Sequence, residues 1–333
     1  MKQSYLLLAF FFFTLTTEAQ QSVKKYVMLE HFTNSKCSIC ASKNPAFYAL
    51  INQAQYLDDV HHVSIHPSVP YNTCVFYLAN PTENNNRASL YGIQGTPQVA
   101  INGKPPVSLS SFSAATLQAE LNQTSPLYLQ VEENDIAGGQ RHVSIKARTV
   151  GDIPAGNYKI YAAVVEKTIN MTTPNTETVH HDVFRKMLPD INGATFNPAA
   201  IGETLEFNYN FDLNPNWIAG EIYVVAFVQN ITTEAVLNSG TKFDAIVLDA
   251  KDIADNKLLK IFPNPAQESA TITLAGDQAD QLDIFAMNGQ RVISQSLFQQ
   301  ETVFVSTAAF APGIYFVKVT GEKGTYTTKL VKQ

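Results

Sequence analysis

Cysteine, net positive charge and long apolar runs are what this chain has least of, and each shortage removes a class of protein. Three cysteines permit at most one disulfide and leave one residue over, which by spacing is Cys74. Lys and Arg total 23 against 29 Asp and Glu, a formal net charge of −6, so the basic footprint of a nucleic-acid binder is missing. Charged residues make up 16% of the 333 and hydrophobic ones 45%, a balance that builds buried cores and excludes a disordered chain. Beyond the leader, no segment stays apolar over the roughly 20 positions a spanning helix needs, so the mature chain should be soluble or surface-attached, with no transmembrane segment. There is no internal repeat, no low-complexity tract and no second Cys-x-x-Cys.

What is present begins with residues 1–19: a basic start at Lys2, an apolar stretch from Tyr5 to Leu15, and small residues at Thr17 and Ala19. This predicts a secretory signal peptide cleaved before Gln20, because the apolar stretch is too short to anchor the chain. Export changes the reading of the cysteines. Outside the reducing cytosol a close pair is expected to be oxidised at rest.

Three patterns follow. Residues 20–124 alternate strand and helix, with Lys25–Phe32 and Val60–His66 as strands, Ala41–Gln55 as a helix, Pro67–Arg87 as a polar connection, and a serine-capped helix over Leu109–Leu121. This is an α/β pattern, a sheet with helices on its faces. Residues 125–250 change to short alternating strands at Leu127–Glu132, His142–Arg148, Tyr158–Val165, Glu203–Phe211 and Glu221–Val228, which predicts a separate antiparallel β-sandwich. Residues 257–333, after a polar linker at Asp252–Asn256, read as a small all-β module with an Asn288-Gly289 hairpin turn.

The chemistry-bearing motif is Cys37-Ser-Ile-Cys40, directly after the first strand. It can be a redox pair, a structural disulfide or half of a metal site. His31, His61, His62 and His66 are close in sequence, but their spacing with Cys37, Cys40 and Cys74 matches no zinc ribbon or knuckle, so neither metal nor cofactor is expected. Cys74 reads as a free thiol, with a resolving partner or a link to another chain as alternatives. His180-His181-Asp182 reads as a polar strand edge, and Trp217 with Phe207–Phe211 as core packing. Three Asn-x-Thr acceptors, at Asn122, Asn170 and Asn230, are read as accidental.

Three marks in order, Cys37-Ser-Ile-Cys40 after a strand, Pro45 five residues on, and Gly95-Thr96-Pro97 before the strand Gln98–Asn102, make the first block similar to thioredoxin-like proteins. The longer pattern, Glu30-His-Phe-Thr33, Ser64-Ile-His-Pro67, Tyr77-Leu-Ala-Asn-Pro81, Arg87 and Tyr91-Gly-Ile-Gln-Gly-Thr-Pro97, resembles the outer membrane protein 28-related family over roughly residues 24 to 250. Ile261-Phe-Pro-Asn-Pro-Ala266, Asp283–Gly289, Pro312-Gly-Ile-Tyr-Phe-Val-Lys-Val319 and the basic end Lys329–Gln333 resemble the type IX secretion system C-terminal sorting domain, type A. That resemblance implies an immunoglobulin-like sandwich acting as an address, the type IX secretion machinery as a partner, and a secreted or outer-membrane surface location in a Gram-negative bacterium.

The thioredoxin resemblance implies that Cys37 is the nucleophile at a helix N-terminus, where unpaired N–H groups favour a thiolate, and that Cys40 resolves the mixed disulfide. It further implies a cis Thr96–Pro97 bond beside the pair, with Thr96 offering its backbone to an extended substrate. Protein thiols and disulfides are the implied partners. The chain departs from the thioredoxin pattern in having Lys36 in place of tryptophan and Ser38-Ile39 in place of Gly-Pro between the cysteines. Glu30 or His31 is a candidate base for Cys40; being adjacent on a strand, only one can face it. Thiol–disulfide exchange is thus one expectation. A non-enzymatic surface protein with a structural Cys37–Cys40 disulfide is the other.

Overall fold

The computed structural model describes residues 22–244, 259–286, 290–321 and 324–333. The expected leader, the linker at 252–256 and the Asn288-Gly289 turn lie outside the described residues. Contacts divide the chain into two compact units, one running to residue 239 without 130–133, the other comprising 130–133 and the residues from 240 on.

The first unit opens with β1 (Val23–Lys24), β2 (Val27–Phe32), helix α1 (Ser38–Ile51), β3 (Val60–Ile65), the short helices α2 (Val75–Ala79) and α3 (Pro81–Leu90), β4 (Gln98–Ile101), β5 (Val107–Ser108) and α4 (Ala114–Gln118). β2 and β3 are parallel, while β4 is antiparallel to β2 and β5 to β4. All six residues of β2 are buried, so the strand feeds two cores. Val27 and Leu29 pack with Phe47 and Ile51 of α1, whereas Met28 and Phe32 pack with Ala88 and Tyr91 on the α3 side.

The stretch expected as a polar connection holds α2 and α3. Asn80 accepts from the Glu83 N–H at 3.3 Å and donates to Glu83 Oε2 at 2.7 Å, with Pro81 opening the helix. No apolar stripe announces α3, because Asn84 and Arg87 are among its buried residues.

The chain continues through β6 (Thr124–Ser125), β7 (Leu127–Ile136), β8 (Gln140–Thr149), β9 (Tyr158–Asn170), β10 (Val179–Leu188), β11 (Ala194–Phe196), β12 (Thr204–Asp212), β13 (Ile222–Asn230) and β14 (Val236–Gly240). The expected separate sandwich is not how these strands are arranged. β12, β8 and β7 make a sheet of their own and β6 pairs with β1; the others join a nine-stranded sheet of order β14-β13-β9-β10-β3-β2-β4-β5, with β11 on β9. The junction is β10 on β3, where Val183 pairs with Ser64 in parallel. Alternation reveals which side chains face a core but not which strands pair. The signal for a shared sheet is burial on both faces, complete over all nine residues of β13.

One turn of this unit depends on glycine. Gly103 has φ +77°, and a Cβ there would lie 1.7 Å from the Glu234 carbonyl oxygen. Gly103→Ala is expected to cost well over the ~1 kcal/mol of a tolerated glycine replacement, read as a lowered urea midpoint. Gly220→Ala, with nothing within 4 Å of the added carbon, should leave the midpoint in place.

The second unit contains β15 (Leu259–Phe262), β16 (Ser269–Leu274), β17 (Ala279–Ala286), β18 (Arg291–Gln300), β19 (Thr302–Ser306), β20 (Gly313–Gly321) and β21 (Gly324–Lys332). They form two sheets, β15-β16-β19 and β18-β17-β20-β21, around one core that includes Ile272, Leu282, Ile284, Val317 and Leu330. The Phe-Pro-Asn-Pro motif ties the module's first strand to its last, because Asn264 accepts from Val331 N–H at 2.8 Å and donates to the Lys329 carbonyl at 2.7 Å.

Candidate functional site: a buried dithiol

Helix α1 begins at Ser38, earlier than expected, because Cys37 serves as its N-cap. A cysteine is not among the usual capping residues, yet its Sγ accepts the Cys40 N–H at 3.1 Å. The turn before it is closed by Cys37 N–H to the Asn34 carbonyl at 3.0 Å, and Asn34 Nδ2 reaches the Pro67 and Tyr71 carbonyls at 3.1 and 3.0 Å. Thr96 touches both sulfurs, its carbonyl 3.6 Å from Cys37 Sγ and its Oγ1 3.2 Å from Cys40 Sγ. The Thr96–Pro97 peptide is cis.

All three cysteines are free and buried, so the pair expected to be oxidised is held here as a dithiol. Between the two sulfurs Ile39 is 60% exposed, whereas Cys37 itself is 3% exposed. Lys36 points to the Thr73 hydroxyl at 2.8 Å, and Cys74 Sγ lies 3.1 Å from Ser35 Oγ. The loop carrying Cys74 therefore buttresses the dithiol turn. Burial, then the hydrogen bond to Cys37, push the Cys40 thiol up to about 12, against the pull of the Thr96 and Thr33 hydroxyls.

The two candidate bases part company on β2. Glu30 faces α3, where Arg87 donates to it through Nε and, at 2.8 Å, through Nη2, and Tyr91 O–H donates at 2.6 Å. Arg87 and Gln229, joined at 2.9 Å, line a cavity of about 410 Å³ with Tyr161, Lys159 and Asn192. His31 faces α1 and packs on Phe47 at 4.7 Å between ring centroids. Neither of its ring nitrogens has a hydrogen-bond partner, and burial, then His62 and His66, hold it well below its ordinary 6.5. The structure thus brings together Cys37, Cys40, Thr96 and Pro97, and leaves Glu30 on the opposite face of the sheet.

Other residues reach the dithiol from β10 and the loop before it. Asn175 donates through Nδ2 to the Cys37 carbonyl at 3.2 Å, and its N–H meets the Ser35 carbonyl at 3.2 Å. Glu177 Oε1 accepts from Asn44 of α1 at 2.8 Å. Deeper in, Asp182 holds His62 Nδ1 at 2.8 Å and the Tyr223 hydroxyl at 2.8 Å, so His180-His181-Asp182 lies on an interior strand of the sheet. Nothing in the periodicity of Thr173–Thr178 separates it from an ordinary turn; only the pairing of β10 with β3 brings it here. Among the described residues, no group of three or more His, Cys, Asp and Glu is placed to hold a metal, and no helix is long and apolar enough to cross a membrane.

Residues 84–242 match the family described as Outer membrane protein Omp28, and residues 260–333 match the Secretion system C-terminal sorting domain. The two matches follow one another along the chain, the Omp28 match first. The matched Omp28 region is narrower than the resemblance expected from the sequence: it contains Asn175, Glu177 and the Arg87 cavity but starts after the dithiol. The sorting domain makes the type IX secretion machinery a partner in export, and the two regions together place the chain at the cell surface or outer membrane of a Gram-negative bacterium. Among solved structures, HBP35 of Porphyromonas gingivalis is similar over 92% of this chain and 98% of its own, with a TM-score of 0.56 and 17% identity, which makes the two alike in fold. A domain of the outer membrane lipoprotein Omp28 from Porphyromonas gingivalis covers 35% of this chain and 86% of its own at 16% identity and a TM-score of 0.28. No curated protein matches the chain in sequence.

Proposed function

We propose that residues 20–124, whose last part overlaps the Omp28 match, form a thioredoxin-like module, and that Cys37 and Cys40 carry out thiol–disulfide exchange on extracytoplasmic proteins. The strand order β3-β2-β4-β5, with β4 and β5 antiparallel to their neighbours, supports the first part. The observation that carries the second is the placement of two free sulfurs at the start of α1, with the Cys40 N–H on Cys37 Sγ and Thr96 against both.

The Cys37 thiolate attacks one sulfur of a substrate disulfide, forming a Cys37–substrate bond and releasing the other sulfur as a thiolate that takes up a proton. Cys40 then gives up its proton and attacks Cys37 Sγ. A Cys37–Cys40 disulfide forms, the second substrate sulfur leaves as a thiol, and two electrons have passed to the substrate. The reverse sequence oxidises a substrate dithiol. Part of what opposes Cys40 ionisation is its interaction with Cys37 Sγ, so mixed-disulfide formation removes that part and leaves desolvation.

The test is insulin reduction by the full chain with the couple equilibrated against glutathione. Catalysed reduction that disappears in Cys37→Ser is the expected result. A couple below about −300 mV, the range of structural disulfides, together with no catalysis of insulin reduction or of refolding of a scrambled protein, would overturn the proposal.

A further inference from the structure

The loop between β9 and β10 does more than join two strands. At its tip Thr176 has φ +75°, a left-handed conformation that is an outlier for a β-branched residue and is retained only where the surroundings impose it. What surrounds it is a set of bonds aimed at the dithiol turn. Thr173 Oγ1 donates to Asn175 Oδ1 at 2.7 Å, which turns the Asn175 amide outward to the Asn34 and Cys37 carbonyls at 3.4 and 3.2 Å. Asn175 Nδ2 also meets Glu177 Oε2 at 2.5 Å, and the other carboxylate oxygen takes the Asn44 amide. Asn44 stands four residues beyond Cys40, on the same face of α1. One loop therefore grips both the turn that carries Cys37 and the helix that carries Cys40.

We propose that Asn175 and Glu177 are positioning residues for the dithiol, fixing Cys37 Sγ relative to the Cys40 N–H and to Thr96. This rests on the thiol–disulfide exchange proposed above. It also makes the redox module dependent on the Omp28 region, since both residues lie within the matched segment.

The experiment compares full-chain variants by the second-order rate at which Cys37 is alkylated with iodoacetamide, read by mass spectrometry across pH, and by insulin reduction. Asn175→Ala and Glu177→Ala are expected to slow Cys37 alkylation about tenfold near neutral pH and to move the pH–rate profile upward, the scale of one lost hydrogen bond. Glu177→Gln keeps an acceptor for Asn44 but replaces the oxygen that takes Asn175, so its profile should fall between those of the wild type and Glu177→Ala. Thr176→Gly relieves the left-handed residue without touching the grip; it should raise the melting temperature and leave the profile unchanged. A loop that is only structural would change melting temperatures alone, so wild-type profiles in folded Asn175→Ala and Glu177→Ala overturn the proposal. If Asn175→Ala does not fold, the Glu177 pair decides on the same criterion. Absence of insulin reduction in the wild type defeats the exchange reaction itself, while the alkylation profiles still report on positioning.

Discussion

Glu30→Ala is expected to destabilise the first unit by about 3–5 kcal/mol, the cost of stranding one charge of a buried pair. Glu30 and Arg87 are 2% and 3% exposed, and Tyr91 and Gln229 complete the network. The Arg87 guanidinium also lies 5.1 to 5.5 Å from the rings of Tyr91, Tyr161 and Phe227. Removing the carboxylate leaves that cation inside a core, whereas Glu30→Leu combined with Arg87→Met removes both charges and should recover most of the loss. Urea denaturation of the three proteins measures this. A cost below about 1 kcal/mol for the single variant would mean that the pair is solvated after all. The folded Glu30→Gln variant also tests the chemistry: Glu30 sits across the sheet from Cys40, so the pH dependence of insulin reduction should match the wild type.

How much of this was legible beforehand depended on whether a residue's partner was near in sequence. The dithiol, Thr96 and Pro97 were legible because a strand, a Cys-x-x-Cys and a Thr-Pro loop carry their own local order. The strands of the second unit were legible for a similar reason. β20 alternates strictly, from Tyr315 through Val317 and Val319 to Gly321, and so announces both its length and its buried face. α3 was not legible, because its inward residues are Asn84 and Arg87 and a polar face carries no period; only Asn80-Pro81-Thr-Glu83 marked its start. The choice between Glu30 and His31 was undecidable from β2, since burial on both faces erases the alternation. Asn175, Glu177 and Asp182 lie more than a hundred residues from the cysteines, and a separate sandwich was expected where they sit. One parallel pairing, Val183 with Ser64, converts that stretch into part of the site.

Acid should unfold the first unit with an unusually steep slope, and the cause is a pair of buried histidines. His31 and His66 are 0% and 2% exposed. Burial, followed by His62 and then His66, holds His31 far below 6.5; burial, followed by His180 and Arg185, does the same to His66. Asn44 beside His31 and the Ser64 backbone beside His66 pull the other way without offsetting burial. His62 brings a like charge when protonated and has its own carboxylate in Asp182, and Tyr48 and Phe47 close the space around His31. Both histidines are depressed in the folded state, so the unfolded chain binds the extra protons. Their contribution to stability is complete above about pH 6.5 and falls away as the pH drops below it, at up to about 2.7 kcal/mol per pH unit for two protons. His31→Leu should halve that slope to about 1.4 kcal/mol per unit, at no cost near pH 7, because the ring it replaces makes no hydrogen bond. Denaturant titrations between pH 4.5 and 7.5 measure both slopes, and equal slopes in the two proteins would exclude His31 as a source. Cys40 bounds stability on the other side. Its thiol is raised from 9.0 to about 12 on folding, so the stability it confers is intact below pH 9 and is lost as the pH climbs from there. Burial of His31, His66 and Cys40 thus confines the most stable range to between about pH 6.5 and 9.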